Sequence, residues 1–211
     1  MDSVISKSRH KIFFVNAKQI KNCIYPTRFC DYTQFGSTKL HPHAGIDRGV
    51  FKEELNGRIK INCSNWDYKT GILFSELLEY QALKNHYTGK ENWKKSSFAS
   101  RNVEYIKNNN KVRGFVNYKA FLSTREKQID GLFSSILKKG IYAVGINEKN
   151  SKIFNDNISC VLTKNNELLF NNRGHHRLSI AKIINLKKIP IKLTVVKNEK
   201  IYDDFCFKQI I

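Results

Sequence analysis

The hydrophobic period of the chain changes within residues 158–196, and this change constrains the fold more than any other feature. Two apolar runs, ISCVLT (158–163) and ELLF (167–170), flank a short polar turn, which is the pattern of a β-hairpin. Residues 175–185 then follow a helical pattern, and IPIKLTVV (189–196) alternates as a strand does. This stretch therefore combines strands with a helix.

The most regular helical pattern covers residues 124–139. Ser123 and Glu126 have the spacing of a capping box, in which a hydroxyl and a carboxylate satisfy the first amides of a helix. Gly140 is a typical C-terminal cap. The predicted apolar face consists of Ile129, Leu132, Phe133, Ile136 and Leu137.

Residues 1–57 are less regular, and we assign them to an N-terminal extension. They contain one short apolar run, IFFV (12–15), which could be a strand. Gly, Pro, Ser and Asp in residues 35–49 are typical of a loop. His41 and His43 have the spacing of a metal-binding pair, but no third ligand is evident nearby, and histidines in loops are common.

The predicted domain covers residues 58–211. RIKINCSNWDY (58–68) begins with strand-like alternation, and residues 74–87 have helical spacing. A second helix follows Ser97, which is a plausible N-cap. We therefore predict a helical insertion at about 74–120, which is the helical elaboration of the N-terminal side. In the final strand, Pro190 favours a position at a sheet edge or at the beginning of a strand.

The chain has 37 lysines and arginines against 18 aspartates and glutamates, a formal net charge of +19. Such a charge attracts polyanions, including nucleotides and nucleic acids. The alternative is a compositional bias spread over the surface, because the lysines are scattered.

The five cysteines contain no CxxC pair, so neither a zinc ribbon nor a disulfide framework is expected. The N-terminus lacks the apolar core of a signal peptide, and no run approaches the ~20 apolar residues of a membrane-spanning helix. These observations favour a protein with reduced thiols in the cytoplasm.

The stretch NNRGHHRLSIAKI (171–183) carries the main candidate site. A metal site on His175 and His176 is not expected, because neighbours on a helix point about 100° apart. The GxSxG motif of hydrolases and the Walker A loop are absent from the sequence. Gly174 lets a ligand approach the backbone at the start of a helix, which favours an anion site instead, with Arg177 matching phosphate oxygens. The alternative is that Arg177 pairs with a carboxylate and His176 fills a niche in the core.

Residues 126–196 resemble the ParB/sulfiredoxin fold. The resemblance rests on a helix ending in glycine, a strand, a hairpin, a Gly-x-x-Arg turn at Gly174–Arg177, a helix and a strand that begins Ile-Pro. INCSNWD (61–67), Gly89 and Trp93 extend the resemblance to uncharacterised ParB-like proteins of prokaryotes and their viruses. It then covers roughly residues 58–196 and implies an α+β fold with a mixed sheet and helices.

The resemblance implies a nucleoside polyphosphate, such as ATP, ADP or CTP, usually with Mg²⁺. Sulfiredoxins carry their reactive cysteine where this chain has His175, so reduction of a sulfinic acid is not expected. The DNA-binding and dimerisation domains of partition proteins do not follow Val196 within this sequence. Some members of the fold are serine kinases.

We therefore expect nucleotide binding with phosphoryl transfer or NTP hydrolysis. The phosphate-binding residues would be Arg173, Gly174, His175, His176 and Arg177. Among these, Arg177 would neutralise the developing charge, and His176 would contact phosphate or position the acceptor. Asp67 is the candidate Mg²⁺ ligand or general base, although aspartate is also common in turns. The main alternative is a non-catalytic module that binds nucleic acid; a nucleotide-stabilised scaffold is a further one.

Overall fold

The computed structural model describes residues 12–24, 53–55, 58–60, 70–108, 111–112, 114–143, 157–170, 174–196 and 199–208. Its strands are β1 (Ile12–Val15), β2 (Asn22–Ile24), β3 (Glu53–Leu55), β4 (Arg58–Lys60), β5 (Thr70–Leu73), β6 (Ile158–Leu162), β7 (Leu168–Phe170) and β8 (Ile189–Val196). Its α-helices are α1 (Leu78–Tyr87), α2 (Ser97–Lys107), α3 (Tyr118–Lys139), α4 (His175–Ile183) and α5 (Glu199–Lys208). The fold is α+β, as expected.

Six strands form one mixed sheet in the order β1-β8-β6-β7-β2-β5. β8 pairs in parallel with β6 and antiparallel with β1, while β7 pairs antiparallel with β6 and in parallel with β2. β3 and β4 form a separate two-stranded sheet. The predicted hairpin is therefore confirmed as β6–β7, in the middle of the larger sheet.

β8 lies inside the sheet, between β1 and β6, so it is not the edge strand that Pro190 suggested. Pro190 is the second residue of the strand, which agrees with the other position that we predicted for it. A proline is tolerated at such a position because the beginning of a strand requires fewer ladder hydrogen bonds.

The predicted boundary between residues 57 and 58 does not separate the N-terminal extension from the sheet. β1 and β2 belong to the extension, yet β1 pairs with β8 and β2 pairs with β7. Phe13 and Val15 on β1 are buried in the same core as Ile191 and Ile189, their partners on β8. β1 and β2 are strands, and the predicted helical insertion at about 74–120 contains α1, α2 and the first residues of α3.

Three helix starts differ from the sequence predictions. α1 begins at Leu78, because Phe74–Glu76 form a 3-10 turn before it. α2 is capped by Ser96, whose hydroxyl accepts a hydrogen bond from the amide of Ala99, so Ser97 is the first helical residue. α3 begins at Tyr118, six residues before the predicted start, and Asn117 caps it through the amides of Lys119 and Ala120. In α2 and α3 the cap is a residue whose side-chain oxygen accepts hydrogen bonds from the first amides.

The buried apolar residues form two clusters. One lies on the large sheet and includes Phe74, Phe170 and Leu178. The other lies among α1, α2 and α3 around Trp93 and Phe121. α4 packs against α1, α3 and the sheet, so its first turn lies where the sheet and the helices meet.

Candidate functional site

Gly174 precedes α4 in a left-handed conformation, with φ at 79°. A Cβ atom at this position would lie 2.7 Å from Cα of Ile158 and 2.9 Å from its Cγ1. We expected Gly174 to let a ligand approach the backbone, but the close neighbour is the first residue of β6. Glycine is therefore required here by backbone conformation and by packing.

The N-terminus of α4 has the features of an anion site. The first hydrogen bond of the helix runs from the amide of Leu178 to the carbonyl of Gly174, 2.9 Å apart. The amides of residues 175–177 therefore have no acceptor within the helix, and the helix dipole places partial positive charge beside them. The first turn contains no acidic residue and Gly174 makes no side-chain cap.

His175 points into the core. Its side chain is buried, and its ring stacks on Phe74 at 5.2 Å and meets the edge of Phe170 at 5.8 Å. Its Nδ1 lies 3.3 Å from Oε2 of Glu79. The imidazole is thus directed away from a ligand at the helix N-terminus, and only the backbone of His175 can contribute to the predicted phosphate cradle.

His176 joins two charged side chains. Its Nε2 lies 2.7 Å from Oε1 of Glu79 and 2.9 Å from Nη2 of Arg125. Arginine can only donate hydrogen bonds, and one imidazole nitrogen either donates or accepts. Nε2 can therefore donate to Glu79 or accept from Arg125, but it cannot do both at once.

Glu79 is the residue that sequence reasoning missed. Only 3% of it is exposed, although its side chain is ionisable. A signal was present, because Glu79, Ala82 and Leu83 follow the i, i+3, i+4 spacing of a buried helix face. Arg125 is a second residue that the sequence did not indicate. It belongs to the regular helical pattern of residues 124–139, and nothing in the sequence relates it to His176.

Glu79, His175 and His176 could together hold a metal ion. Each offers one ligand atom, and these atoms lie within 4.8 Å of one another. From the sequence we did not expect His175 and His176 to bind one ion, because neighbouring side chains on a helix point in different directions. The two rings are indeed nearly perpendicular, at 87°, but each has one nitrogen within 3.3 Å of an oxygen of the buried carboxylate.

The other predicted site residues have different outcomes. Arg177 lies in the first turn of α4 and is partly exposed. Arg173 and Asp67 lie outside the described residues, as do His41 and His43. The described part of the site therefore contains Gly174, the first turn of α4, Glu79 and Arg125.

Lys182 on α4 interacts with two buried cysteines, Cys23 and Cys160. Burial lowers the pKa of Lys182 below its ordinary value, while the thiols of Cys23 and Cys160 partly oppose this shift. Burial raises the pKa of both thiols, so they remain protonated and are poor nucleophiles. This environment gives no support to thiol chemistry at these two positions.

Comparisons with protein-family models, with curated proteins and with solved structures find no match for this chain. Within the described residues, none of the helices combines the length and the apolar character needed to cross a membrane.

Proposed function

We propose that the chain binds a nucleoside polyphosphate at the N-terminus of α4 and uses it in phosphoryl transfer or NTP hydrolysis. The observation that carries the proposal is the first turn of α4, where a left-handed Gly174 precedes three amides in a turn without acidic residues. Helix N-termini of this kind bind phosphate because their amides point at the anion and the helix dipole favours its charge.

Cationic side chains supplement the amides. Arg177 is in the same turn, and Arg125 lies 2.9 Å from His176. Guanidinium groups match phosphate oxygens with two parallel donors, and they stabilise negative charge that develops during transfer. In this proposal Arg177 binds the transferred phosphate group, and Arg173, which lies outside the described residues, extends the cradle.

The pair of His176 and Glu79 suits a positioning role. A buried carboxylate 2.7 Å from Nε2 orients the ring. His176 would then hold either a phosphate oxygen or the acceptor group. Mg²⁺, when bound with the nucleotide, would neutralise phosphate charge and prefers oxygen ligands. Asp67 is the protein carboxylate that we propose for this ion.

Thermal unfolding with ATP, ADP and CTP, each with and without Mg²⁺, tests the proposal. A ligand that binds only the folded state at 100 times its Kd adds about 2.7 kcal/mol of stability. We expect one nucleotide to raise Tm, and we expect Arg177→Ala to abolish that shift. Arg101→Ala is the matched control, because Arg101 is an exposed arginine on α2.

Two outcomes would contradict the proposal. The first is that no nucleotide raises the Tm of the folded protein, or that a nucleotide raises the Tm of Arg177→Ala and Arg101→Ala equally. The second is sequence-specific binding of DNA that tolerates salt and is lost in Arg177→Ala, which would favour the nucleic-acid module. A merely electrostatic association with DNA should instead weaken linearly in log–log terms with salt and should survive this single substitution.

A further inference from the structure

The geometry points to a second site in this region: Glu79, His175 and His176 bind a divalent first-row transition-metal ion such as Zn²⁺ or Co²⁺. This inference rests on the side chains of Glu79, His175 and His176, whereas the phosphate proposal rests on the amides of α4 and on Arg177. It therefore stands whether or not the chain binds a nucleotide. A bound ion would take the place of the positioning role proposed above for His176 and Glu79.

The distances between the ligand atoms fit such an ion. With metal–ligand bonds of about 2.0–2.2 Å, neighbouring ligands in a tetrahedral site lie about 3.3–3.6 Å apart. Oε2 of Glu79 and Nδ1 of His175 are 3.3 Å apart. Nε2 of His176 is 2.7 Å from the other carboxylate oxygen, Oε1. With one ligand atom from each residue, the three atoms lie within 4.8 Å of one another, so small side-chain movements would bring them to the required spacing.

The donor set selects the class of metal. Two imidazole nitrogens and one carboxylate oxygen suit zinc and its first-row neighbours, whereas Mg²⁺ and Ca²⁺ prefer oxygen ligands. This ion is therefore chemically distinct from the Mg²⁺ of a bound nucleotide. Three protein ligands also leave a coordination position for water or a substrate, as in catalytic zinc sites.

Two of the three proposed ligands are buried. Glu79 and His175 are 3% and 5% exposed. A buried carboxylate is costly unless positive charge lies beside it. The stacking of His175 on Phe74 fixes the ring, which reduces the entropy that a metal ion must overcome when it orders its ligands.

Arg125 competes with the ion. Its Nη2 lies 2.9 Å from the nitrogen of His176 that would bind the metal, and its Nη1 lies 2.6 Å from Oε1 of Gln128. Arginine remains protonated, so it cannot share the lone pair of that nitrogen with a metal ion. Binding of the ion must therefore displace Arg125 from His176.

The test is a titration of the full chain with Co²⁺ and Zn²⁺ after dialysis against a chelator. We expect one equivalent of Co²⁺ with visible ligand-field absorption and no thiolate charge-transfer band, since none of the three proposed ligands is a cysteine. Glu79→Gln should weaken binding at least about tenfold. Glu104→Gln is the matched control, because Glu104 is exposed on α2, and it should bind as the wild type does.

Two further variants keep the test decisive. His176→Asn removes a ligand that is 16% exposed and therefore disturbs the core less if Glu79→Gln fails to fold. Arg125→Gln should bind the ion several-fold more tightly. Absence of stoichiometric binding by the wild type, or equal affinity in folded His176→Asn, would overturn the inference. Arg177→Ala should leave metal affinity unchanged, so this result is separate from nucleotide binding.

Discussion

Gly174 meets two requirements that no other residue satisfies together. Its φ of 79° is costly for residues with a side chain, and a Cβ atom would lie 2.7 Å from the backbone of Ile158. Gly89 has a similar φ of 73°, but nothing lies within 4 Å of the place where its Cβ would be. The two glycines therefore separate the cost of conformation from the cost of a steric clash.

We expect Gly174→Ala to lower the free energy of unfolding by about 2–5 kcal/mol, because backbone strain and overpacking add. Gly89→Ala should lower it by only about 1–2 kcal/mol, since strain acts alone. Urea unfolding of both variants measures the difference. Equal losses would mean that β6 and α4 can separate enough to accommodate a methyl group.

His175 and His176 show how adjacent residues acquire different roles. Both carry the same side chain in the same turn, yet His175 stacks in the core on Phe74 and His176 reaches Arg125 at the rim. The sequence predicted the helix start and the two histidines as site residues. It did not predict Glu79, which lies 96 positions before His175 and meets it only because α1 packs on α4.

The start of α3 also depends on tertiary packing and not on the local sequence motif alone. Ser123 and Glu126 have the spacing of a capping box, but Asn117 provides the cap and Ser123 lies inside the helix. The hydroxyl of Ser123 donates to the carbonyl of Ala120, 3.3 Å away. A capping motif therefore fails when tertiary packing of residues before it, such as buried Phe121, extends the helix.

Asn117→Ala should lower the free energy of unfolding by about 0.5–2 kcal/mol, because two helix amides lose their acceptor. Ser123→Ala should change it little, since alanine is a better helix former than serine. Chemical unfolding followed by circular dichroism compares the two. A larger loss in Ser123→Ala would restore the predicted helix start.

The whole domain depends on its first described strands. β1 is the edge strand next to β8, and β2 lies between β7 and β5. Phe13, Val15, Ala17 and Ile20 are buried in the same core as α4. Residues 12–24 contribute to the core in this way because strands that are distant in sequence pair within one sheet.

A chain that begins at residue 58 should therefore fail to unfold cooperatively, because it lacks two of the six strands. A chain that begins at residue 11 is the control, since it retains every described element, and it should keep a cooperative transition. Thermal unfolding followed by circular dichroism tests both. A cooperative transition in the shorter chain would support the domain boundary that the sequence suggested.

The sequence by itself determined the local features: the β6–β7 hairpin, the helical period of α4, the glycine before it and the basic net charge. These depend on residues close together in the chain, where period and backbone preference act directly. Only the tertiary structure decided that β8 lies inside the sheet and that Glu79 and Arg125 meet His176. Contacts between distant residues depend on how whole elements pack, and no local period encodes that packing.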